Sequence, residues 1–347
     1  MYDNNNDPIS NIKSRVLIAG GGIIGLYSAY ILAQRNADIS ITVIDQGAIG
    51  AQCSSAAGGI LSPLLPWDYP DTIFEYLPAV SETYANLACH LYEDIQADIE
   101  FQISGMRIFA SANQLKTGLV WCQQHNVNVH ADDHHLYLPD IAQLNPAALV
   151  QALHNKLLKT GVEFIENTPV KQCHVKAGRV IGIDTSQGYI GCDKLIWTTG
   201  AWANALSQQQ GDIYAPEVRP IKGQMVSFDC PEITLKEILY EDGHYLIPRQ
   251  NGSILAGSTL EDSGFDQSTT PTALETLTQR SIKLLPALAN AKVNDHWSGL
   301  RPYSHSELPI VQAHPEVDGL YLNCGHHRYG ISMAPYSAEK IAQCMAF

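Results

Sequence analysis

The chain has 347 residues, 45% of them hydrophobic, enough for one large core or two interleaved domains. Its net charge of −14 argues against nucleic acid or an anionic membrane as a partner. The eight cysteines form no CxxC pair and the histidines show no zinc spacing, so no metal centre is expected and reduced thiols point to the cytoplasm.

The opening MYDNNNDP reads as a disordered tail over residues 1–13. From Arg15 the chain runs VLIA, Gly20-Gly21-Gly22-Ile23-Ile24-Gly25, LYSAYILAQR and ISITVID, ending at Asp45. That order predicts a strand, a glycine turn, a helix, a second strand and a terminal acid. Gly20 permits the tight turn, Gly22 the approach of a pyrophosphate, and Gly25 close helix–strand packing. The free N–H groups at the helix start, near Ile23 and Ile24, face phosphate charge. Asp45 stands 20 residues after Gly25, where a carboxylate can bond a ribose diol, and Gln46 follows it. Residues 16–33 also have the outline of a signal peptide or membrane anchor. Three consecutive glycines, the interruptions Tyr27, Ser28 and Tyr30, and an acid where a cleavage site would stand argue against both. Dinucleotide binding is the expected reading.

Residues 47–66 are rich in Gly, Ala and Ser, too small-residued for an ordinary loop and too polar for a core helix. Residues 83–95 have helical periodicity, and residues 100–110 (EFQISGMRIFA) alternate as one strand. Residues 141–158 read as helices bounded by Asn145-Pro146. Short strands follow over 162–165, 170–175, 180–185 and 189–192, with turns at Gly178 and Gly188, and then residues 194–203 (KLIWTTGAWA) read as a buried strand ending at a glycine turn. Further strands over 225–228, 245–248 and 253–258 precede a helix over 272–285. Dinucleotide-type elements at both ends and in the middle, with antiparallel signals between, predict an α/β protein whose chain crosses repeatedly between two domains. The expected dinucleotide domain comprises 14–85, 141–215 and 295–347, and the substrate domain 86–140 and 216–294.

Four motifs together resemble the flavoprotein amino-acid oxidases, the family of D-amino-acid oxidase, sarcosine oxidase and glycine oxidase. They are GGGIIG; SSAAGGIL from Ser54 to Leu61; YLIPRQNGSILAGSTLEDSGFD from Tyr245 to Asp266; and the pair SGLRP, from Ser298 to Pro302, with GHHRYGISMAP, from Gly325 to Pro335. The resemblance covers nearly all of the chain after residue 14 and is nearest to the glycine oxidases of thiamin biosynthesis. It implies a glutathione-reductase-like Rossmann domain for FAD, interleaved with an antiparallel-sheet α+β substrate domain. It also implies non-covalent FAD and a dimeric or tetrameric homo-oligomer. The implied reaction is oxidative deamination of glycine, sarcosine or a small D-amino acid by O2, giving imine or glyoxylate, ammonia and H2O2.

The same resemblance assigns residues. Ser54, Ser55, Ala57, Gly58 and Gly59 match the segment that approaches the flavin. Val170 matches a position beside the adenine, and Thr199, Gly200 and Trp202 a contact with adenosine or pyrophosphate. His326, His327, Arg328, Tyr329, Gly330 and Ile331 match the stretch that meets the flavin N1–C2=O edge at the start of the last helix. Arg301 matches the arginine whose fork takes the substrate carboxylate. Tyr245 matches a tyrosine bonding the same carboxylate, Arg328 a second donor, and Leu260 a position on the apolar side of the substrate. No Asp, Glu or His is implied as a base. Hydride would pass from Cα of an amine-neutral substrate to the flavin, with the chain supplying orientation and electrostatics.

Two positions depart from the pattern. Tyr329 stands where glycine oxidases of this family carry Asn, which leaves the choice among small amines open. Cys324 lies near the region where sarcosine oxidases attach flavin covalently, without their motif. The competing readings are a dehydrogenase of the same fold that uses a quinone or carrier acceptor, and a non-catalytic dinucleotide-binding protein. Arg301 and Tyr245 at matched positions speak against the latter.

Overall fold

A run of consecutive apolar residues in a strand needs cover on both faces. Ser14–Ala19 ends in such a run, with residues 16–19 all buried. In the computed structural model, which describes residues 14–62, 65–77, 79–204, 216–306 and 308–347, it lies inside a six-stranded sheet. The order is Ile310–Ala313, Leu320–Cys324, Lys194–Trp197, Ser14–Ala19, Ile39–Ile44, Glu163–Ile165. Every pairing is parallel except the first. On one face the helices Ile23–Arg35, Val80–Ile95, Pro146–Lys159 and Gly330–Cys344 share a core with Val16, Ile18 and Ile41. On the other, a three-stranded sheet brings Cys173, Val180 and Ile183 against Leu17, Leu195 and Leu322. The expected tail, residues 1–13, lies outside the described residues.

The second layer is an eight-stranded sheet in the order Lys292–Ser304, Val218–Asp229, Ser253–Gly257, His244–Pro248, Ile238–Glu241, Met106–Phe109, His135–Leu138, His130–Ala131. Only Ile238–Glu241 against Met106–Phe109 is parallel. The helix Pro271–Leu284 covers part of one face, packing Leu277 on Phe228 and Leu246. A Rossmann-type α/β layer interleaved with an antiparallel α+β layer is therefore the architecture, as the sequence leads one to expect.

Local expectations differ at four places, each for a steric or hydrogen-bonding reason. Residues 100–110 are not one strand. Gln102–Ile103 pairs with Ala142–Gln143, while Met106–Phe109 enters the large sheet. Gly105 turns the chain between them at φ +69°, and a Cβ there would stand 2.5 Å from Tyr137 Oη. Residues 141–144 are not helical either. Asn145 caps the helix that follows, its Oδ1 accepting from the N–H groups of Ala147 and Ala148 at 3.1 and 3.3 Å, so the helix cannot begin earlier. The strand expected over 194–203 ends at Trp197, and Gly200, at φ +57°, opens the short 3₁₀ turn Gly200–Trp202. The helix Ala112–Gln124, begun by a Ser111–Gln114 capping box, escaped the sequence reading.

The expected domain limits at 85 and 295 fall inside single elements. Val80–Ile95 buries Tyr84, Leu87 and Leu91 in the core that holds Val16 and Leu26. Lys292–Ser304 pairs along its length with Val218–Asp229. We propose limits after Ile99 and after Ser304 instead.

Candidate active site

Only glycine fits the turn after Ser14–Ala19. A Cβ on Gly20, itself at φ +112°, would stand 2.3 Å from the Thr198 carbonyl oxygen, and one on Gly25 1.9 Å from that of Gly20. The helix Ile23–Arg35 is thereby pressed against the strand ends. It begins with no side-chain cap and no acid in its first turn, and the Ile23 N–H donates to Ser54 Oγ at 2.9 Å. The last helix, Gly330–Cys344, also begins uncapped and without an acid. Both starts, with their partial positive charge, border one cavity of about 1160 Å³ between the two layers. A second cavity of about 680 Å³ continues from it past the strand ends.

The structure brings most of the expected residues to this groove. Ile23, Ile24, Ala57, Gly58, Gly59, Tyr245, Arg301 and residues 326–331 line the larger part. Gly20, Asp45, Gln46, Val170, Thr199 and Trp202 line the smaller, while Gly22, Ser54 and Gly200 border both. Three do not reach it. Gly25 packs against Gly20, Ser55 Oγ donates to the Gly50 carbonyl at 2.7 Å, and Leu260 is 58% exposed. Gly223, Met225, Ser258 and Cys53 line the groove without having been singled out. Gly223 carried a readable signal, since a glycine inside a buried strand marks a close approach.

At the smaller end, Asp45 Oδ2 accepts from the Gly21 N–H at 2.7 Å and Oδ1 from that of Gly47 at 2.8 Å. Burial raises its pKa, and those two bonds oppose the rise. Thr199 Oγ1 is buried with no partner. A glycine cradle, two uncapped helix starts, an acid at the second strand end and an unpartnered hydroxyl together fit a flavin adenine dinucleotide.

At the larger end, Arg301 is half-buried on Lys292–Ser304. Its Nη2 donates to Ser258 Oγ at 2.7 Å and its Nη1 to the Thr259 carbonyl at 3.2 Å. Both partners are neutral, and no carboxylate pairs with Arg301 among the described residues. Burial lowers its pKa, with the nearby Arg328 adding to the effect and Tyr245 opposing it. The guanidinium lies over Gly223, where a Cβ would stand 2.1 Å from both terminal nitrogens. Tyr245 is buried beside it, with Oη 3.8 Å from Met225 Sδ.

The histidines of the motif are neutral. Burial pushes His326 down to about 3, and its Nε2 shares a hydrogen bond of 2.9 Å with Ser337 Oγ inside the last helix. Burial also takes His327 to about 3, helped by Arg328, Arg301 and Arg219, while burial takes His244 to about 4. In the unfolded chain each would gain a proton below its ordinary value of 6.5. The native state therefore binds fewer protons below that pH and loses up to about 1.4 kcal/mol per pH unit per group. The melting temperature should be flat above about pH 7 and fall steadily towards about pH 5, less steeply in His326→Gln. A melting temperature that rises on acidification would contradict this assignment.

Tyr329, the departure from the family pattern, is held away from free space. Its ring packs with Ile73 and Met333 and meets Tyr69 edge-on at 5.3 Å and 85°. It still borders the cavity beside Arg328.

Residues 15–344 match the family model described as FAD dependent oxidoreductase, DAO. The chain belongs to this family. Within the DAO family it is similar to the glycine oxidase of Pseudomonas putida, 34% identical over 345 residues that cover 94% of this chain and 93% of that protein. It is also similar to the bifunctional protein ThiO/ThiG of Trichormus variabilis, 30% identical over 94% of this chain and 52% of that protein. The solved glycine oxidase from Bacillus cereus superposes with a TM-score of 0.87 at 26% identity, covering 96% of this chain and 95% of the other. FAD is accordingly the cofactor, and the protein is an FAD-dependent DAO-family oxidoreductase acting on CH–NH groups. Among the described residues no helix is long and apolar enough to cross a membrane.

Proposed function

We propose that the protein is a cytoplasmic amino-acid oxidase that deaminates glycine, with sarcosine and small D-amino acids as further substrates, and uses O2 as acceptor. The observation that carries this reading is Arg301, a half-buried fork at the cavity wall with no carboxylate of its own among the described residues. A substrate carboxylate supplies the missing partner with two parallel bonds. Tyr245 donates to the same group, and Arg328 adds positive charge on the same wall. Anchoring one end of a small zwitterion at two points fixes the direction of its Cα–H bond.

Bound FAD would supply the hydride acceptor and the route by which electrons reach O2 to give H2O2. The chain contributes position and field. A Cβ on Gly58 would come within 2.8 Å of Ile247 Cδ1, so that stretch stays flat beside Tyr245 and Met225. The uncapped N–H groups at Gly330 and Ile331 stabilise negative charge at the cavity edge. Among the described residues no carboxylate lines the larger cavity and His327 is neutral, so the substrate sheds its ammonium proton to water before it is held at Arg301. Cys324 is buried with its thiol pushed up to about 12, which supports non-covalent FAD. The likeness to a ThiO/ThiG protein supports use of the imine in thiamin biosynthesis.

Anaerobic addition of glycine, sarcosine and D-alanine in separate cuvettes should bleach the flavin spectrum fastest with glycine. Admitting air should then restore the spectrum and yield peroxide. A spectrum unmoved by all three amines sinks the substrate class, and a reduced spectrum that persists in air sinks the oxidase assignment.

A further inference from the structure

Lys222 stands out among the charged residues because its side chain is only 2% exposed. It lies on Val218–Asp229 next to Gly223, so strand alternation turns it to the face opposite the cavity. Its Nζ reaches Asp266 Oδ2 at 2.9 Å, Glu261 Oε2 at 3.3 Å and the Ser268 carbonyl at 3.2 Å. Gln224, two residues along, donates from Nε2 to Glu261 Oε1 at 2.8 Å. Thr259 Oγ1 donates to the same oxygen at 2.5 Å and accepts from the Gln224 N–H at 2.8 Å. The backbones of Lys222 and Glu261 exchange two bonds of 2.9 Å.

All these bonds converge on the segment that follows Ser253–Gly257, and that segment supplies both partners of Arg301, Ser258 Oγ and the Thr259 carbonyl. Lys222-Gly223-Gln224 thus forms a seat. The glycine leaves room for the guanidinium, and its two neighbours, on the far face, grip the segment that orients the fork. An apolar side chain would fill the place of Lys222 at less desolvation cost. What the lysine adds is two ionic bonds to this particular segment.

We propose that Lys222 is a positioning residue for the substrate carboxylate, acting through Glu261 and Asp266 on the stretch that holds Arg301. The proposal rests on the reading of Arg301 as the carboxylate site. Acetate, a carboxylate with no amine to oxidise, is the probe, titrated into FAD-loaded protein and followed by the visible spectrum and by calorimetry. In Lys222→Met acetate should bind about tenfold more weakly and the KM for glycine should rise by the same factor, with kcat within about twofold and FAD affinity unchanged. Glu261→Gln and Asp266→Asn change partly exposed groups and should fold normally, each weakening acetate by about threefold. These two variants decide the matter if Lys222→Met does not fold. Acetate affinity unchanged in the variants overturns the proposal, as does a loss of FAD affinity and kcat in step with KM, which marks general loosening. Failure of the unmodified protein to bind acetate instead overturns the reading of Arg301.

Discussion

Arg301→Ala should raise the KM for glycine by about 100- to 1000-fold, roughly 3–4 kcal/mol and within the range for breaking a hydrogen-bonded charge pair, while FAD stays bound. The asymmetry follows from the partners of Arg301 in the free protein. Ser258 Oγ and the Thr259 carbonyl are neutral, so removing the guanidinium strands no buried anion. A half-buried cation without a counter-charge gains no ion-pair stability in the free protein, so the variant should melt close to the parent. The loss falls on the complex, where the substrate carboxylate enters a cavity with one cation fewer. Arg301→Lys restores a point charge without the fork and should recover only part of the affinity. Steady-state kinetics, anaerobic glycine titration and the flavin-to-protein ratio measure the three quantities. An unchanged KM removes Arg301 from the site.

Gly25→Ala should yield protein largely stripped of FAD, with affinity reduced by about 100-fold or more, and a stability loss of about 1–3 kcal/mol from overpacking. The added methyl would sit 1.9 Å from the Gly20 carbonyl oxygen and 2.9 Å from Thr198 Oγ1, two atoms at the heart of the turn. Thr198 Oγ1 already donates to that carbonyl at 2.9 Å, so neither can retreat cheaply. The helix must move off the strand, carrying its free N–H groups away from the phosphate position. Gly22→Ala is the instructive contrast. Its Cβ would meet only the rotatable Ser54 hydroxyl, at 3.1 Å, so the fold should survive and any loss of FAD would report direct approach of the ligand. The ratio of visible flavin absorbance to protein, with melting curves for both variants, separates the two cases. A Gly25→Ala protein as yellow as the parent would overturn the argument.

What was legible followed the range of the interaction. The first strand, helix and second strand were readable because their signals, period 2, period 3.6 and a glycine turn, lie within a few residues of one another. Gly105 and residues 141–144 misled for a related reason. Gly105 ends a strand because Tyr137, a distant residue, stands against it, and residues 142–143 are a strand only because they pair with Gln102–Ile103, whereas the helix start at Asn145-Pro146 was readable locally. Leu260 illustrates the limit of matching by motif. It lies in a matched stretch, yet the bonds of Thr259 and Glu261 to Val218–Asp229 leave its side chain in solvent.

Sequence alone determined the dinucleotide turn and the acid at its second strand end, since local sterics and residue chemistry need no partner from elsewhere, while Arg301 was singled out by the motif it shares with the family. Tertiary structure alone decided that Arg301 is half-buried without a carboxylate partner among the described residues, that Gly223 makes room for it, and that Lys222 grips the segment holding it. Those properties arise from segments far apart in the chain, such as Ser258 and Arg301 at a separation of 43. Desolvation and register belong to the assembled sheet, and no short stretch of sequence encodes either.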